Sequence, residues 1–283
     1  MRMFGSHLSI AGGLHNAILA AEKLGFDTVQ VFTKNQQQWK CRPLEPPAIQ
    51  RWRAECRRVG FKRTVSHDSY LINLASPDPA VWRRSIALFV EELRRCATLR
   101  IPYLVTHPGA HMGSGEETGL KRVADALDLV HQQVPADGVV TCLEITAGQG
   151  TSLGYRLEHL ARIIELVRQP RRLAVCLDTA HLFAAGYDFR GRKYGRFIRQ
   201  VEAVVGLGRV KVLHLNDSKK DLGSRVDRHE HIGRGRIGLD GFRPFVRDKT
   251  WAAVPRILET PKAKAPDGRD WDEVNLEVLR GLE

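Results

Sequence analysis

No stretch of the 283-residue chain approaches 18 consecutive apolar residues, so no membrane-spanning helix is expected. The opening MRMFGSHLSIAGG lacks the long apolar segment of a secretory leader. Cysteine is scarce and odd in number: Cys41, Cys56, Cys96, Cys142 and Cys176 lie far apart, with no C-x-x-C pair. That excludes a disulfide scaffold, disfavours a thiolate-type structural zinc site and suits a reducing cytoplasm. Cys142 and Cys176 fall inside apolar runs, where a thiol serves as a small buried hydrophobe. There is no internal repeat, low-complexity tract or linker, which argues for one domain over residues 1–283. Acidic residues are in the minority: 32 Asp and Glu against 44 Lys and Arg leave a net charge of +12. That excess suggests a polyanionic partner without naming it. At 43% hydrophobic and 27% charged, the chain is neither disordered nor fibrous and can bury a large core.

What is present is alternation. Short runs rich in Val, Leu, Ile and Thr lie at 2–7, 28–33, 63–67, 103–107, 139–144, 173–178, 210–214 and 254–259, as buried parallel strands do. Helical patterns separate or follow them at 13–24, 48–59, 78–99, 116–133, 157–168, 194–205, 240–247 and 272–282. Pro46 and Pro47 open the second of these and Gly60 closes it, while Asp78 can cap the third ahead of Pro79. Eight such repeats in this length predict an α/β fold, a (β/α)8 TIM barrel; a doubly wound open sheet is the alternative, because alternation alone does not show closure. The polar, glycine-rich segment 216–238 is the longest non-periodic stretch, and loops of that length inside a domain are usually functional.

The strand ends carry the chemistry. The third to eighth candidate strands finish in His67, His107, Glu144, Asp178, His214 and Glu259. In a barrel these ends share one face. A lone His there is ordinarily a satisfied polar residue, and a lone Asp or Glu a helix cap; six in succession argue against coincidence. His181 follows Asp178 in DTAH, and Asp227 and His229 stand in DRH within the long loop, on one side of the chain if that stretch is extended. Five imidazoles and four carboxylates exceed the needs of one ion and suffice for two or three if a carboxylate bridges. Mixed imidazole and carboxylate suits Zn²⁺, Mn²⁺ or Fe²⁺, and spacing does not choose among them. A multi-metal site beside a basic surface points to phosphodiester hydrolysis in a nucleic acid.

The segments GSHLSIAGGL (5–14), FTKNQQQW (32–39), HDSYLINL (67–74), HPGAH (107–111), LEITAGQGTSLG (143–154), VCLDTAHLFAAGYD (175–188), HLNDSKKDLGSRVDRH (214–229) and ILET (257–260) are similar to those of endonuclease IV, the second family of apurinic/apyrimidinic (AP) endonucleases. The resemblance spans nearly the whole chain. It implies a (β/α)8 barrel with three metal ions, usually zinc, that cuts double-stranded DNA 5′ to abasic sites, leaving a 3′-hydroxyl and a 5′-deoxyribose phosphate in base-excision repair. By that resemblance His67, His107 and Glu144 hold one ion. Glu144 bridges to a second, completed by Asp178, His214 and Glu259. His181, Asp227 and His229 hold the third. Glu144 and Glu259 are expected to be catalytic as well as ligating, with Mn²⁺ or Fe²⁺ as alternatives to zinc at some sites.

For DNA contacts the resemblance implies Tyr70 and Leu71 as minor-groove wedges. The other wedge of the family is often Arg and is Gln37 here; Asn35 and Lys34 stand nearby. In IGRGRIG (232–238) Arg234 stands where relatives often carry an acid, and with Lys219, Lys220, Arg225, Arg228 and Arg236 it makes the loop basic, with phosphates as the targets. The cluster at 190–199 can be an ordinary helix face. His7 can orient a ligand; His15, His131 and His159 fall in helical patterns and are expected at the surface, and His111 is left outside the metal set. A cytoplasmic monomer with no membrane association completes the expectation. The rivals are a xylose-isomerase-like sugar isomerase or epimerase with a divalent ion, and a non-catalytic lesion binder. The triplet His181, Asp227, His229 and the basic loop favour the nuclease over the first.

Overall fold

The computed structural model describes residues 3–135 and 138–283. Its strands are β1 (Phe4–His7), β2 (Thr28–Val31), β3 (Val65–His67), β4 (Tyr103–Thr106), β5 (Val140–Glu144), β6 (Leu173–Asp178), β7 (Val210–His214), β8 (Asp217–Ser218), β9 (His229–Glu230) and β10 (Arg256–Leu258). All but β8 and β9 form a closed parallel barrel in chain order, sealed where β1 pairs with β10 at Phe4↔Arg256, Gly5↔Ile257 and Ser6↔Leu258. Closure decides against the open sheet. At the seam the strands approach so closely that a Cβ on Gly5 would sit 2.8 Å from Ile257 Cδ1.

The helices are α1 (His15–Lys23), α2 (Pro46–Val59), α3 (Pro79–Leu99), α4 (Glu116–Gln133), α5 (Leu157–Leu166), α6 (Thr179–Ala184), α7 (Tyr194–Val204), α8 (Leu239–Arg247) and α9 (Trp271–Gly281). Every expected strand and helix is present, its ends within two residues of expectation; Arg2, the expected start of the first strand, lies outside the described residues. Local signals set the boundaries. Asp78 Oδ1 accepts the N–H groups of Ala80 and Val81 at 2.7 and 3.1 Å to open α3, and Gly60 closes α2 at φ 78°. Two features were not anticipated: the short helix α6, capped by Asp178, and the β8–β9 pairing that folds the long loop back on itself. Among the described residues no helix is long and apolar enough to cross a membrane.

The period-two alternation of the strands decides what fills the barrel. Val65, Val105, Cys142, Cys176, Val212 and Ile257 pack together with Ala174 as an interior layer. Two residues further along the same strands come His67, His107, Glu144, Asp178, His214 and Glu259. The candidate ligands are therefore the top layer of the barrel interior, standing on an apolar floor. All five cysteines are unpaired, and Cys142 and Cys176 are buried as small hydrophobes.

The helical histidines correct the surface expectation. His15 is half-buried, but His131 and His159 are buried. His159 accepts the Gly154 N–H through Nδ1 at 3.2 Å, whereas neither ring nitrogen of His131 has a hydrogen-bond partner. His131 lies on the core side of α4 beside Leu127 and Val130, because 3.6-residue periodicity places it there whatever its polarity. Burial, with Arg172 nearby, pushes its pKa down to about 4. The folded state keeps it neutral, so the unfolded chain takes up this proton first as pH falls below about 6.5. Stability should drop by about 2 kcal/mol from this residue between pH 6.5 and 4.5. His131→Leu should remove that loss. Chemical denaturation of both proteins across this range measures it, and a pH-independent difference between them would contradict the assignment.

Candidate metal centre

Glu144 is the hub. Its carboxylate is fully buried at the end of β5 and meets four imidazoles carried by different elements. Oε2 lies 3.0 Å from His67 Nε2 and 3.2 Å from His107 Nε2; Oε1 lies 2.9 Å from His214 Nδ1 and 3.3 Å from His181 Nδ1. Donor atoms gather in groups spanning under 4.8 Å: His67, His107, Glu144; then Glu144, Asp178, His214, Glu259; then Asp178, His181, His229. Asp227 joins the last group, its oxygens 3.1 Å from His181 Nε2 and 3.4 Å from His229 Nε2. All nine residues expected from the sequence come together. The structure adds that Asp178 stands between the second and third groups, with Oδ2 3.8 Å from His214 Nδ1 and 3.7 Å from His229 Nε2.

The second nitrogen of each ring shows what the first is for. A carbonyl oxygen only accepts, so a ring nitrogen bonded to one must carry the hydrogen. His67 Nδ1 donates to the Asp68 carbonyl at 3.0 Å, His181 Nδ1 to Ile145 at 2.9 Å, and His229 Nδ1 to Glu259 at 3.1 Å. Each turns Nε2, the nitrogen without a carbonyl partner, toward the carboxylates. His214 is turned round: Nε2 donates to Gln30 Oε1 at 2.9 Å and Nδ1 faces Glu144 and Glu259. This is the tautomer control that metal-binding histidines require. The Nε2 atoms of His181 and His229 are buried and lack hydrogen-bond geometry to any partner. Donor separations of 2.9–3.4 Å around these nitrogens lie at or just inside the roughly 3.3–3.4 Å between ligands of a tetrahedral ion with bonds of about 2.0–2.1 Å, so one ion can reach the donors of a group with little movement. The donor set fits divalent cations.

Electrostatics agree. Burial opposes charge on Glu144 and Glu259, yet the surrounding imidazoles, His214 foremost, hold both carboxyls well below their usual range. Burial opposes charge on His181 and His214 too; neighbouring acidic groups overcome it and push both well above 6.5. Cys176 is close enough to join Glu144 and His214, but burial pushes its thiol up to about 12, which keeps it protonated in the apolar floor. His7 stays neutral, lowered by burial.

Two orienting residues escaped the sequence analysis. Gln30 donates to Glu259 Oε1 at 2.6 Å while accepting from His214, and its Nε2 lies 3.0 Å from His7 Nδ1. Asn216 donates to Asp178 Oδ2 at 2.6 Å and accepts the Glu259 N–H at 2.7 Å. Being one residue before the strand end or two after it, neither matched the strand-end pattern. Their amides can donate and accept at once, the signal that could have singled them out.

A cleft of about 850 Å³ opens beside the donors, between Phe32, Asn35, Gln37 and Tyr70 on one side and His229 and Glu259 on the other. Tyr70 is 69% exposed, edge-on to Phe32 with ring centres 5.5 Å apart; Leu71 behind it is half-buried. Asn35 and Gln37 are exposed, and Asn35 Oδ1 accepts the Gln37 N–H at 2.9 Å. Lys34 is buried and donates to the Asn35 carbonyl. Arg228 is exposed next to Asp227, and the exposed Arg234 lies over the Trp271 ring at 4.4 Å. The basic loop is not loose. The buried Asp217 carboxylate accepts N–H groups from Gly233, Gly235, Ile237 and Gly238 at 2.9–3.3 Å, and a Cβ on Gly235 would run into it.

Comparison with known proteins agrees with this geometry. A protein-family model described as a xylose isomerase-like TIM barrel matches residues 18–282. A probable endonuclease 4 of Chloroflexus aurantiacus is 51% identical over 285 residues, covering 100% of this chain and 98% of that protein. One of Geobacter sulfurreducens is 48% identical over 280 residues, covering 98% and 93%. The crystal structure of endonuclease IV from Thermus thermophilus superposes with a TM-score of 0.86 at 37% identity, over 99% of this chain and 98% of that one. A D-tagatose 3-epimerase-like protein superposes at 0.74 with 17% identity, over 99% and 96%, a likeness of barrel alone.

Proposed function

The chain belongs to the endonuclease IV family, and on that premise we propose that it is a metal-dependent AP endonuclease. It hydrolyses the phosphodiester 5′ to an abasic site in duplex DNA, leaving a 3′-hydroxyl and a 5′-deoxyribose phosphate, as a cytoplasmic monomer in base-excision repair. The observation that carries this reading is the convergence of nine imidazole and carboxylate residues around Glu144 into three adjoining donor groups. Three zinc ions would be held by His67, His107 and Glu144, by Glu144, Asp178, His214 and Glu259, and by His181, Asp227 and His229. Such ions supply an acidified water at neutral pH and positive charge for the attacked phosphoryl group and its leaving oxygen.

The chain's own residues do the rest. The carbonyls of Asp68, Ile145 and Glu259 hold three imidazoles in the ligating tautomer, and Gln30 holds the fourth. Asn216 fixes Asp178 relative to Glu259. Tyr70 and Leu71 offer apolar surface where a missing base leaves a gap in the stack, and Asn35 and Gln37 offer hydrogen bonds from the same rim of the cleft. Gln37 lacks the charge and planar stacking of an arginine, so this lip holds by hydrogen bonding alone. Arg228 and Arg234 engage phosphates. A sugar epimerase would need neither the third donor group nor an exposed aromatic at the rim.

The test combines metal analysis with incision of a duplex containing one tetrahydrofuran abasic analogue. Close to three ions per chain and a single cut 5′ to the analogue, with the intact duplex uncut, is the expected result. Epimerisation of a ketose with no incision would overturn the reading.

A further inference from the structure

Away from the metal centre a second groove, of about 920 Å³, runs along α7 between Tyr155, Gly186 and Arg225. Its charge is one-sided. Arg156, Arg192, Lys193, Arg196, Arg199 and Arg225 line it, against a single carboxylate, Asp188. That carboxylate is already taken: it accepts from Arg190 Nε at 2.9 Å and from Lys193 Nζ at 2.5 Å. Among the described residues no carboxylate lies within 4 Å of Arg192, Arg196, Arg199 or Arg225. Glu202, the one acidic residue in α7, accepts the Leu207 N–H instead.

The spacing is as informative as the sign. A helical turn at Gly191–Lys193 runs directly into α7, so Arg192, Arg196 and Arg199 stand at i, i+4 and i+7 on one face. Like charges at these spacings destabilise a helix, and an ordinary solvated face interleaves acids among them. This face does not, which calls for counter-charge from outside. The stripe is about 10 Å long at about 1.5 Å per residue. Projected on the axis of B-DNA, where each strand places one phosphate per about 3.4 Å, that length spans roughly three base-pair steps.

The groove adjoins the metal centre through the long loop. The Gly223 and Arg225 N–H groups bond to the carbonyls of Phe183 and Ala184 in α6, the helix that carries His181. Arg225 is held at φ 54°, unusual for a non-glycine residue, with its guanidinium over the Tyr155 ring at 4.3 Å. Two residues later the same loop delivers Asp227.

We propose that this groove is a second DNA-binding subsite, in which Arg192, Arg196, Arg199 and Arg225 clamp the phosphate backbone of the duplex arm flanking the lesion. The proposal rests on the reading of the chain as a DNA endonuclease but is tested apart from it. The contacts carry no sequence information; they add affinity, and they make it depend on salt and on duplex length.

The decisive protein is the metal-loaded triple variant Arg192→Gln/Arg196→Gln/Arg199→Gln. Binding of an undamaged 40-base-pair duplex, followed by fluorescence anisotropy from 50 to 200 mM salt, should lose about 2–3 units from the slope of log affinity against log salt. Steady-state incision of a long abasic duplex should show KM raised about tenfold with kcat unchanged. A duplex truncated close to the lesion should show no change. The matching triple lysine variant should restore most of the affinity, and Arg51→Gln/Arg57→Gln on the exposed face of α2 should leave the slope nearly intact. An unaltered slope and KM in the triple glutamine variant would overturn the proposal, as would a loss confined to single-stranded RNA. Absence of incision by the unmodified protein would instead sink the endonuclease reading, while the undamaged-duplex measurement still decides the groove.

Discussion

Glu144→Gln should lower kcat/KM for abasic-site incision by more than about 10³-fold, equivalent to about 4 kcal/mol of barrel-centred stabilisation of the transition state. Four imidazoles meet on this one carboxylate: His67, His107, His181 and His214 all point a nitrogen at its two oxygens within 3.3 Å. Glutamine keeps the shape and removes the charge. Its amide nitrogen must then face bare imidazole nitrogens, and the two donor groups that share this carboxylate lose their common ligand. Metal content should fall from about three ions per chain to about one, held by the group that does not use Glu144. Elemental analysis and single-turnover incision check both parts. A variant that keeps three ions and activity within tenfold of the unmodified protein would rule out the bridging role.

Asp227→Ala is the second substitution with a large expected effect. Asp227 is the least buried of the nine and sits on the long loop, so its loss should leave the folded barrel unchanged. Yet its two oxygens are what face the unpartnered Nε2 atoms of His181 and His229. Those rings remain pinned by their Nδ1 hydrogen bonds, so the site stays shaped but lacks a charged ligand. One ion of three should be lost, and kcat should fall by about 10²-fold or more, since charge developing on the leaving oxygen goes uncompensated. An isomerase using only the donors around Glu144 would tolerate the change. Full incision activity with two ions would therefore remove the third donor group from the reaction, and sugar isomerisation without incision would favour that rival.

Much of the fold was legible because its signals are local. The run at 173–178 and the helix at 116–133 appear with the expected ends, since an unbroken apolar run and a 3.6-residue apolar period both act over a few residues. The ligands were legible because His, Asp and Glu are conspicuous at the ends of apolar strands. Other features are non-local. Gln30 meets Glu259 across 229 residues of chain and His214 across 184, and no spacing rule connects them. His131 follows a helix pattern that reads equally well as surface or core, and packing of α4 on the barrel decided for the core. The basic loop was legible as a run of Lys and Arg, but not that the buried Asp217 carboxylate, 16 to 21 residues away in the chain, ties its backbone down.

By itself the sequence determined the alternation of strand and helix, the identity of the nine donor residues and the excess of positive charge. It could do so because each is a property of residue type and short-range periodicity. Only the tertiary structure decided that the sheet closes, which donors share a group, which nitrogen of each imidazole is bare, and that part of the positive charge collects in a groove along α7. Those depend on register between strands and on contacts across tens to hundreds of residues. Closure turns six separate strand ends into one layer above an apolar floor, and there a buried carboxylate is stabilised only because imidazoles from other strands arrive beside it.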